Sequence, residues 1–272
     1  MNVDKVFNPE AELQHIIEWT RKWFANNTPG APAIIGMSGG KDSTITAAIL
    51  TMALGAKNVV GILLPNGNQY DKEVAIEVCQ KLKISYCEIN IHDIVENIKK
   101  DLDDAGFYRI AATDYNIPPR IRMTYLYAMA SMVRGVVVNT SNYSEAFLGY
   151  ETKWGDMCGD FGLLSAYTVN EVLAIGKILV DMGYCDIKHV EKAPEDGLTH
   201  KTDENVFGFS YKELDNYIMY DETPCTEKLN SIIRMNKNSK HKRNCINIPH
   251  PAPLGVWRNN IFQTYGGIVL NI

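Results

Sequence analysis

No apolar run of about 18 residues, the length a membrane-spanning helix needs, occurs in this chain of 272 residues. There is no CxxC pair and no zinc-like cysteine spacing. Cys79, Cys87, Cys158, Cys185, Cys225 and Cys245 are scattered, which suits reduced thiols and a cytoplasmic protein. A basic excess is missing too: the formal charge is −5 and the isoelectric point about 5.7, so no broad surface for nucleic acid is expected. The opening residues, MNVDKVFNPE, lack the basic-then-apolar order of a secretion signal. Neither GxSxG nor HExxH occurs, and no cysteine lies in a nucleophile motif. Internal repeats, low-complexity tracts and linkers are absent, so residues 1–272 are expected to form one domain.

What is present is an ordinary globular composition, 46% apolar and 22% charged, arranged in alternating strand and helix patterns. Residues 9–27 read as an amphipathic helix, with Leu13, Ile16, Ile17, Trp23 and Phe24 on one face and Trp19 off it. Short apolar strands are expected at 33–37, 58–64, 84–91 and 135–139. Helices are expected at 43–54, 71–82, 92–102, 122–134 and 169–182, and helical structure again over 209–236. Residues 101–118 and 192–208 read as polar loops that order when ligands bind. This alternation, with near-continuous Val/Ile strands, predicts an α/β fold: a doubly wound parallel sheet with helices on both faces.

The stretch Gly36-Met37-Ser38-Gly39-Gly40-Lys41-Asp42-Ser43-Thr44 falls between the first strand and the second helix. Glycine frees backbone N–H groups at a positive helix end, which is a phosphate site. It is neither GxxxxGK[ST] nor GxGxxG. A bare glycine turn would be only a tight connection, but here a hydroxyl, a cation and a carboxylate stand at fixed offsets.

SGGxDS resembles the pyrophosphate loop of the N-type ATP pyrophosphatases, which cleave ATP between the α- and β-phosphates to adenylate an oxygen. Further stretches are similar to one branch, the ammonia-dependent NAD synthetases. These are Leu64-Pro65-Asn66-Gly67-Asn68-Gln69-Tyr70-Asp71 (LPxGxQxD), Asn116 to Met123 (NxxxRxRM), Thr140-Ser141-Asn142-Tyr143-Ser144-Glu145, and Gly149 to Asp156 (GxxTKxGD). Asp160, Thr202 to Gly208 (TDExxxG) and His241-Lys242-Arg243 follow, so the resemblance spans about residues 10–245. It implies a Rossmann-like, adenine nucleotide alpha hydrolase-like fold and a ligase that amidates deamido-NAD through an adenylate, releasing AMP and pyrophosphate.

The same resemblance implies the residue roles. Gly36, Met37, Ser38, Gly39, Gly40, Lys41, Asp42, Ser43 and Thr140 would bind ATP, with Lys41 and Asp42 catalytic. Asp42 and Glu145 would hold Mg²⁺, which needs a few hard oxygen ligands. Arg120, Lys153, Asp160, His241 and Lys242 would face deamido-NAD. Ammonia is the expected donor, because only residues 1–32 precede the first strand and no amidase domain is expected there. The family forms homodimers with the deamido-NAD site at the subunit interface. That makes the face of Tyr125, Leu126, Met129 and Met132 an interface candidate, with ordinary core as its competing reading.

Three positions depart from the pattern. Leu63 replaces an arginine, Val169 a lysine that often contacts ATP, and Glu195 a Ser or Thr. Two rivals stay open: a pyrophosphatase with another acceptor, and a non-catalytic nucleotide sensor. Retention of both Asp42 and Glu145 weighs against the sensor. The acidic isoelectric point weighs against an RNA-thiolating enzyme.

Overall fold

The computed structural model describes residues 7–69, 71–191, 202–243 and 248–254. Helix α1 (Pro9–Asn27) opens where the Asn8 side chain accepts from the Ala11 N–H at 2.9 Å, with Pro9 in the first turn. The expected apolar face is buried. Trp19 is buried as well and stacks on Trp23 with centroids 6.4 Å apart, because α1 lies against two further helices and covers more than one stripe.

Strand β1 (Ala33–Gly36) leads into α2 (Lys41–Leu54), then β2 (Val59–Leu63), α3 (Asp71–Leu82), β3 (Ser85–Glu88) and α4 (His92–Asp104). Helix α5 (Ala111–Val133) precedes β4 (Val136–Asn139), α6 (Tyr143–Leu148), β5 (Phe161–Gly162) and α7 (Val169–Asp181). The rest comprises α8 (Ile187–Val190), α9 (Asp203–Phe207), α10 (Tyr211–Tyr220), α11 (Thr226–Asn238) and α12 (Lys240–Arg243).

The five strands are parallel in the order β3-β2-β1-β4-β5, with Ile34 opposite Val60 and Val137. Helices α1, α2, α3 and α7 bury one face around Ile35, Ile49 and Val172, and α4 and α5 bury the other around Ile34, Ile62 and Val137. Ile34 and Ile35 are fully buried. Neighbours along one strand thus serve opposite layers, as a doubly wound sheet requires. A third apolar cluster, built on Tyr143, Val169, Phe207 and Leu214, joins α6, α9 and α10 to the start of α7.

The expected helix start at 122 and the expected loops over 101–118 and 192–208 are corrected, while the helical structure expected over 209–236 is present and gains detail. Helix α5 begins at Ala111, eleven residues before the expected start, and contains Pro118 and Pro119. Ile117 and Pro118 are buried against the sheet, and Arg109 pairs with Asp103 and Asp114 at the helix entry. Tertiary packing there offsets the backbone bonds that proline removes. The span 209–236 is two helices, because Asp221 adopts φ 54° after α10 and Pro224 precedes α11. Strand β5, two residues long, carries no periodicity and was not expected. Within 192–208, residues 192–201 lie outside the described residues, whereas 203–207 form a helical turn.

The interface candidate on α5 is also mostly core. Leu126 is buried, Tyr125 and Met129 pack half-buried on the same cluster, and only Met132 points outward, 76% exposed.

Candidate active site

Strand order turns at β1 and β4, whose carboxyl ends open a cleft of about 840 Å³. Strand β1 delivers Gly36 and the loop to α2. Strand β4 delivers Asn139, Thr140 and the start of α6. Helix α2 begins at Lys41 without a side-chain cap at Gly40, and its first-turn N–H groups lack intrahelical acceptors. They are therefore available to an anion. Gly39 is held at φ +81°, where a Cβ would lie 2.5 Å from the Asp71 carbonyl oxygen, so the loop takes its shape only with glycine there. Ser38 Oγ lies 3.1 Å from Ser43 Oγ and accepts from the Gly40 N–H, tying the loop to the helix.

Lys41, 4% exposed, donates to Asp42 Oδ2 at 2.7 Å and lies 5.9 Å above the Tyr211 ring. Burial alone would lower its pKa, but Asp42, Glu145 and Asp203 outweigh that effect and raise it, so the ammonium stays charged. Asn142 caps α6 by accepting from the Glu145 N–H, and its Nδ2 donates to Asp42 Oδ1 at 3.3 Å. One amide thus holds the two expected metal carboxylates together. Withdrawal from water, followed by repulsion from Asp42, lifts the Glu145 carboxyl well above the usual range.

Among the described residues no group of three or more His, Cys, Asp or Glu is arranged to hold a metal. Two hard carboxylates tied together through the Asn142 side chain nonetheless fit a cation that takes its other ligands from phosphate and water, which is the habit of Mg²⁺.

All the expected ATP-binding residues except Gly39 line the cleft. The expected dinucleotide residues divide. Lys242 lines the cleft and donates to the carbonyls of Gly149 and Glu151 at 2.8 and 2.6 Å. Arg120 is exposed and donates to the Lys153 carbonyl at 3.1 Å, while Lys153 lies 5.7 Å over Trp154. Asp160 accepts from the Val137 N–H at 2.7 Å and from Tyr127, joining β4 to α5. His241 is exposed. These four do not line the cleft of a single chain.

Sequence reasoning assigned no role to Arg122, Glu151, Asp156 and Asp203, all of which line the cleft. All four sit inside quoted motifs, with Arg122 two residues beyond Arg120. Glu151 is buried, and burial pushes its carboxyl up to about 7. Of the departures, Leu63 is buried at the end of β2, and Val169 is buried in the third cluster with its N–H on Ser144. Glu195 lies outside the described residues, as does Tyr70.

A family profile described as NAD synthase matches residues 12–246. The NH(3)-dependent NAD(+) synthetase of Thermococcus kodakarensis is 39% identical over 186 residues, 68% of this chain and 70% of its own. That of Carboxydothermus hydrogenoformans is 32% identical over 248 residues, 89% and 98%. Among solved structures, the NMN synthetase from Francisella tularensis superposes with a TM-score of 0.79 at 29% identity, covering 90% of this chain and 99% of that one. The NH3-dependent NAD synthetase from Campylobacter jejuni gives 0.70 at 23%, covering 89% and 99%, a likeness of fold. The expected adenine nucleotide alpha hydrolase-like fold is therefore the fold observed. Matched by that profile over residues 12–246 and by these relatives over most of its length, the chain belongs to the NAD synthase family.

Proposed function

We propose that this protein is an ammonia-dependent NAD synthetase: ATP + deamido-NAD + ammonia → AMP + pyrophosphate + NAD. The carrying observation is the convergence of the 36–43 loop, Asp42 and Glu145 on one cleft at the carboxyl ends of β1 and β4. The open N-terminus of α2 and the charged Lys41 hold the departing pyrophosphate and stabilise the charge that grows on it. Thr140, at the end of β4, touches the nucleotide, and the apolar wall of Ile62, Leu64 and Leu126 receives a purine. Asp42 and Glu145 would hold Mg²⁺, which neutralises phosphate charge when bound. No side-chain nucleophile is needed, because the substrate carboxylate itself attacks the α-phosphorus. Catalysis then rests on placing two polyanions within reach.

Arg120, Lys153, Asp160, His241 and Lys242 bind deamido-NAD in this reading. Four of the five lie outside the cleft of one chain, which is what a site completed by a second copy requires. The reading therefore includes a homodimer. Free cysteines among the described residues suit a cytoplasmic enzyme.

A second reading is favoured by the likeness to the Francisella NMN synthetase: the acceptor is the corresponding mononucleotide. Both readings are tested by one assay, with ATP, Mg²⁺, ammonium and either acceptor, following AMP and the amide together. NAD formed with matching AMP supports the first. AMP and NMN formed only from the mononucleotide support the second, and no amide from either overturns both.

A further inference from the structure

Helix α10 packs on α6 and α7, and one face of it meets both halves of the cleft. Tyr211 and Asp215 stand four residues apart, hence on the same side of the helix, and both are buried. Tyr211 donates its hydroxyl to Asp203 Oδ2 at 3.0 Å and turns its ring toward Lys41, whose Nζ lies 5.9 Å from the centroid. These contacts register the helix against the pyrophosphate loop.

Asp215 acts one turn further on. Its Oδ1 accepts from Ser144 Oγ at 2.5 Å, and its Oδ2 accepts from the Asn170 N–H at 2.8 Å, in the first turn of α7. Ser144 Oγ in turn accepts from the Val169 N–H at 3.0 Å. Asp215 and Ser144 thus satisfy two N–H groups that have no acceptor within α7, and a negative charge is well placed at that positive helix end.

Ser144 directly precedes Glu145, and both lie in the first turn of α6. That turn is held from two sides. On the cleft side the Asn142 amide ties Glu145 to Asp42, and on the buried side Ser144 ties the same turn to α10. A turn gripped only at its cap would be free to rotate about the helix axis and carry the Glu145 carboxylate away from Asp42. The Ser144–Asp215 bond blocks that rotation.

We propose that Asp215 is a positioning residue for Glu145, acting through Ser144, so that α10 sets the spacing of the two carboxylates that would hold Mg²⁺. The inference rests on the metal assignment made above for Asp42 and Glu145. A cation with few protein ligands depends on each being placed within about 0.5 Å, and groups that orient ligands from behind cost roughly 10- to 100-fold in metal affinity when removed. A buried carboxylate at a helix end also supports the fold, so a loss of stability alone does not identify this role.

The test measures ATP affinity by calorimetry without acceptor, once with Mn²⁺ and once with the metal chelated. The ratio of the two affinities reads what the metal contributes, and a general weakening of the fold does not move it. Asp215→Ala removes the carboxylate. Ser144→Ala breaks the same bond from the other side and leaves Asp215 on the Asn170 N–H. Each is expected to lower the ratio about tenfold and to raise the Mg²⁺ concentration for half-maximal turnover by a similar factor. Turnover at saturating Mg²⁺ and the KM of the acceptor should stay within a few-fold of wild type. The double variant should lose no more than either single one, because both remove one bond.

A lower melting temperature with a wild-type ratio would mean that Asp215 only braces the fold, which overturns the proposal. If Asp215→Ala does not fold, Ser144→Ala decides by the same criterion. Glu145→Gln is the control for the assignment beneath: an unchanged ratio in that variant, or no Mn²⁺ effect in the wild type, overturns the metal assignment instead.

Discussion

Asn142 Nδ2 lies 3.3 Å from Asp42 Oδ1, a contact that spans 100 residues of sequence and joins the loop after β1 to the helix after β4. The same side chain accepts from the Glu145 N–H at 3.1 Å, and Glu145 returns a bond to the Asn142 N–H. A helix cap and the Asp42–Glu145 pair of carboxylates are therefore one structure. What fixes the start of α6 also fixes the distance between the two charges.

Asp42→Asn removes a carboxylate while keeping a group that Lys41 can reach. Turnover is expected to fall by at least about a hundredfold, with far-ultraviolet circular dichroism unchanged. The melting temperature should fall by a few degrees, because buried Lys41 loses its charge partner at 2.7 Å while Glu145 and Asp203 remain. Full activity in this variant would remove Asp42 from the metal and phosphate machinery.

Gly39→Ala tests the loop by sterics alone. The added methyl meets the Asp71 carbonyl oxygen at 2.5 Å in a backbone already at φ +81°, so either the loop or the start of α3 must move. The strain is of order 1–3 kcal/mol. ATP affinity measured by calorimetry should collapse with the fold largely retained. ATP binding at wild-type strength would show that the loop shape does not govern the phosphate site.

Much of this could be read from the chain because the signals are local. Ile34 and Ile35 between Pro32 and Gly36 declare a buried strand, and SGGKDS declares the loop that follows. What stayed hidden depends on packing. Pro118-Pro119 reads as a stop, yet Ile117 and Pro118 are buried and α5 runs through them. Phe161–Gly162 is too short to carry a period, and its strand character comes from pairing with Val138 and Asn139. A glutamate such as Glu151, set among loop residues, looks solvated in sequence. Only the fold turns it inward beside Ser141 and Asp156. Arg120 and His241 were legible by motif, but one chain does not bring them to the cleft.

Stability should decline as pH rises through neutrality. Glu151 moves from 4.5 to about 7 in the folded protein, so between those values the folded state holds a proton that the unfolded state has released. Stability from this group is thus fully present below the unfolded value and lost as pH climbs to the folded one. At about 1.4 kcal/mol per unit, the full loss is of order 3 kcal/mol. Glu145 acts in the same direction, and Lys41, raised in the fold, contributes no loss until alkaline pH. Melting curves of the ligand-free protein from pH 5 to 8 should show the decline, and Glu151→Gln should flatten it. A melting temperature that rises over this range would contradict the assignment of Glu151 as a raised carboxyl.

The outer face of α5 leads to a prediction about assembly. Met132 is 76% exposed, with Val133 and Tyr127 beside it, while Phe107, Tyr108 and Ile110 add apolar surface before the helix begins. Arg120 is exposed on the same helix. A second copy packed here would cover apolar side chains that one chain leaves in water and would set the residues proposed to bind deamido-NAD beside a partner's cleft. Light scattering should give twice 30.5 kDa for the wild type. Met132→Glu, which puts a charge at the centre of that contact, should shift the protein toward monomer. Because the pyrophosphate loop and Thr140 lie within one chain, ATP affinity should hold while saturation by deamido-NAD weakens about tenfold or more. An active monomer with normal deamido-NAD saturation would mean that Arg120, Lys153, Asp160 and His241 reach the substrate within a single chain or do not touch it at all.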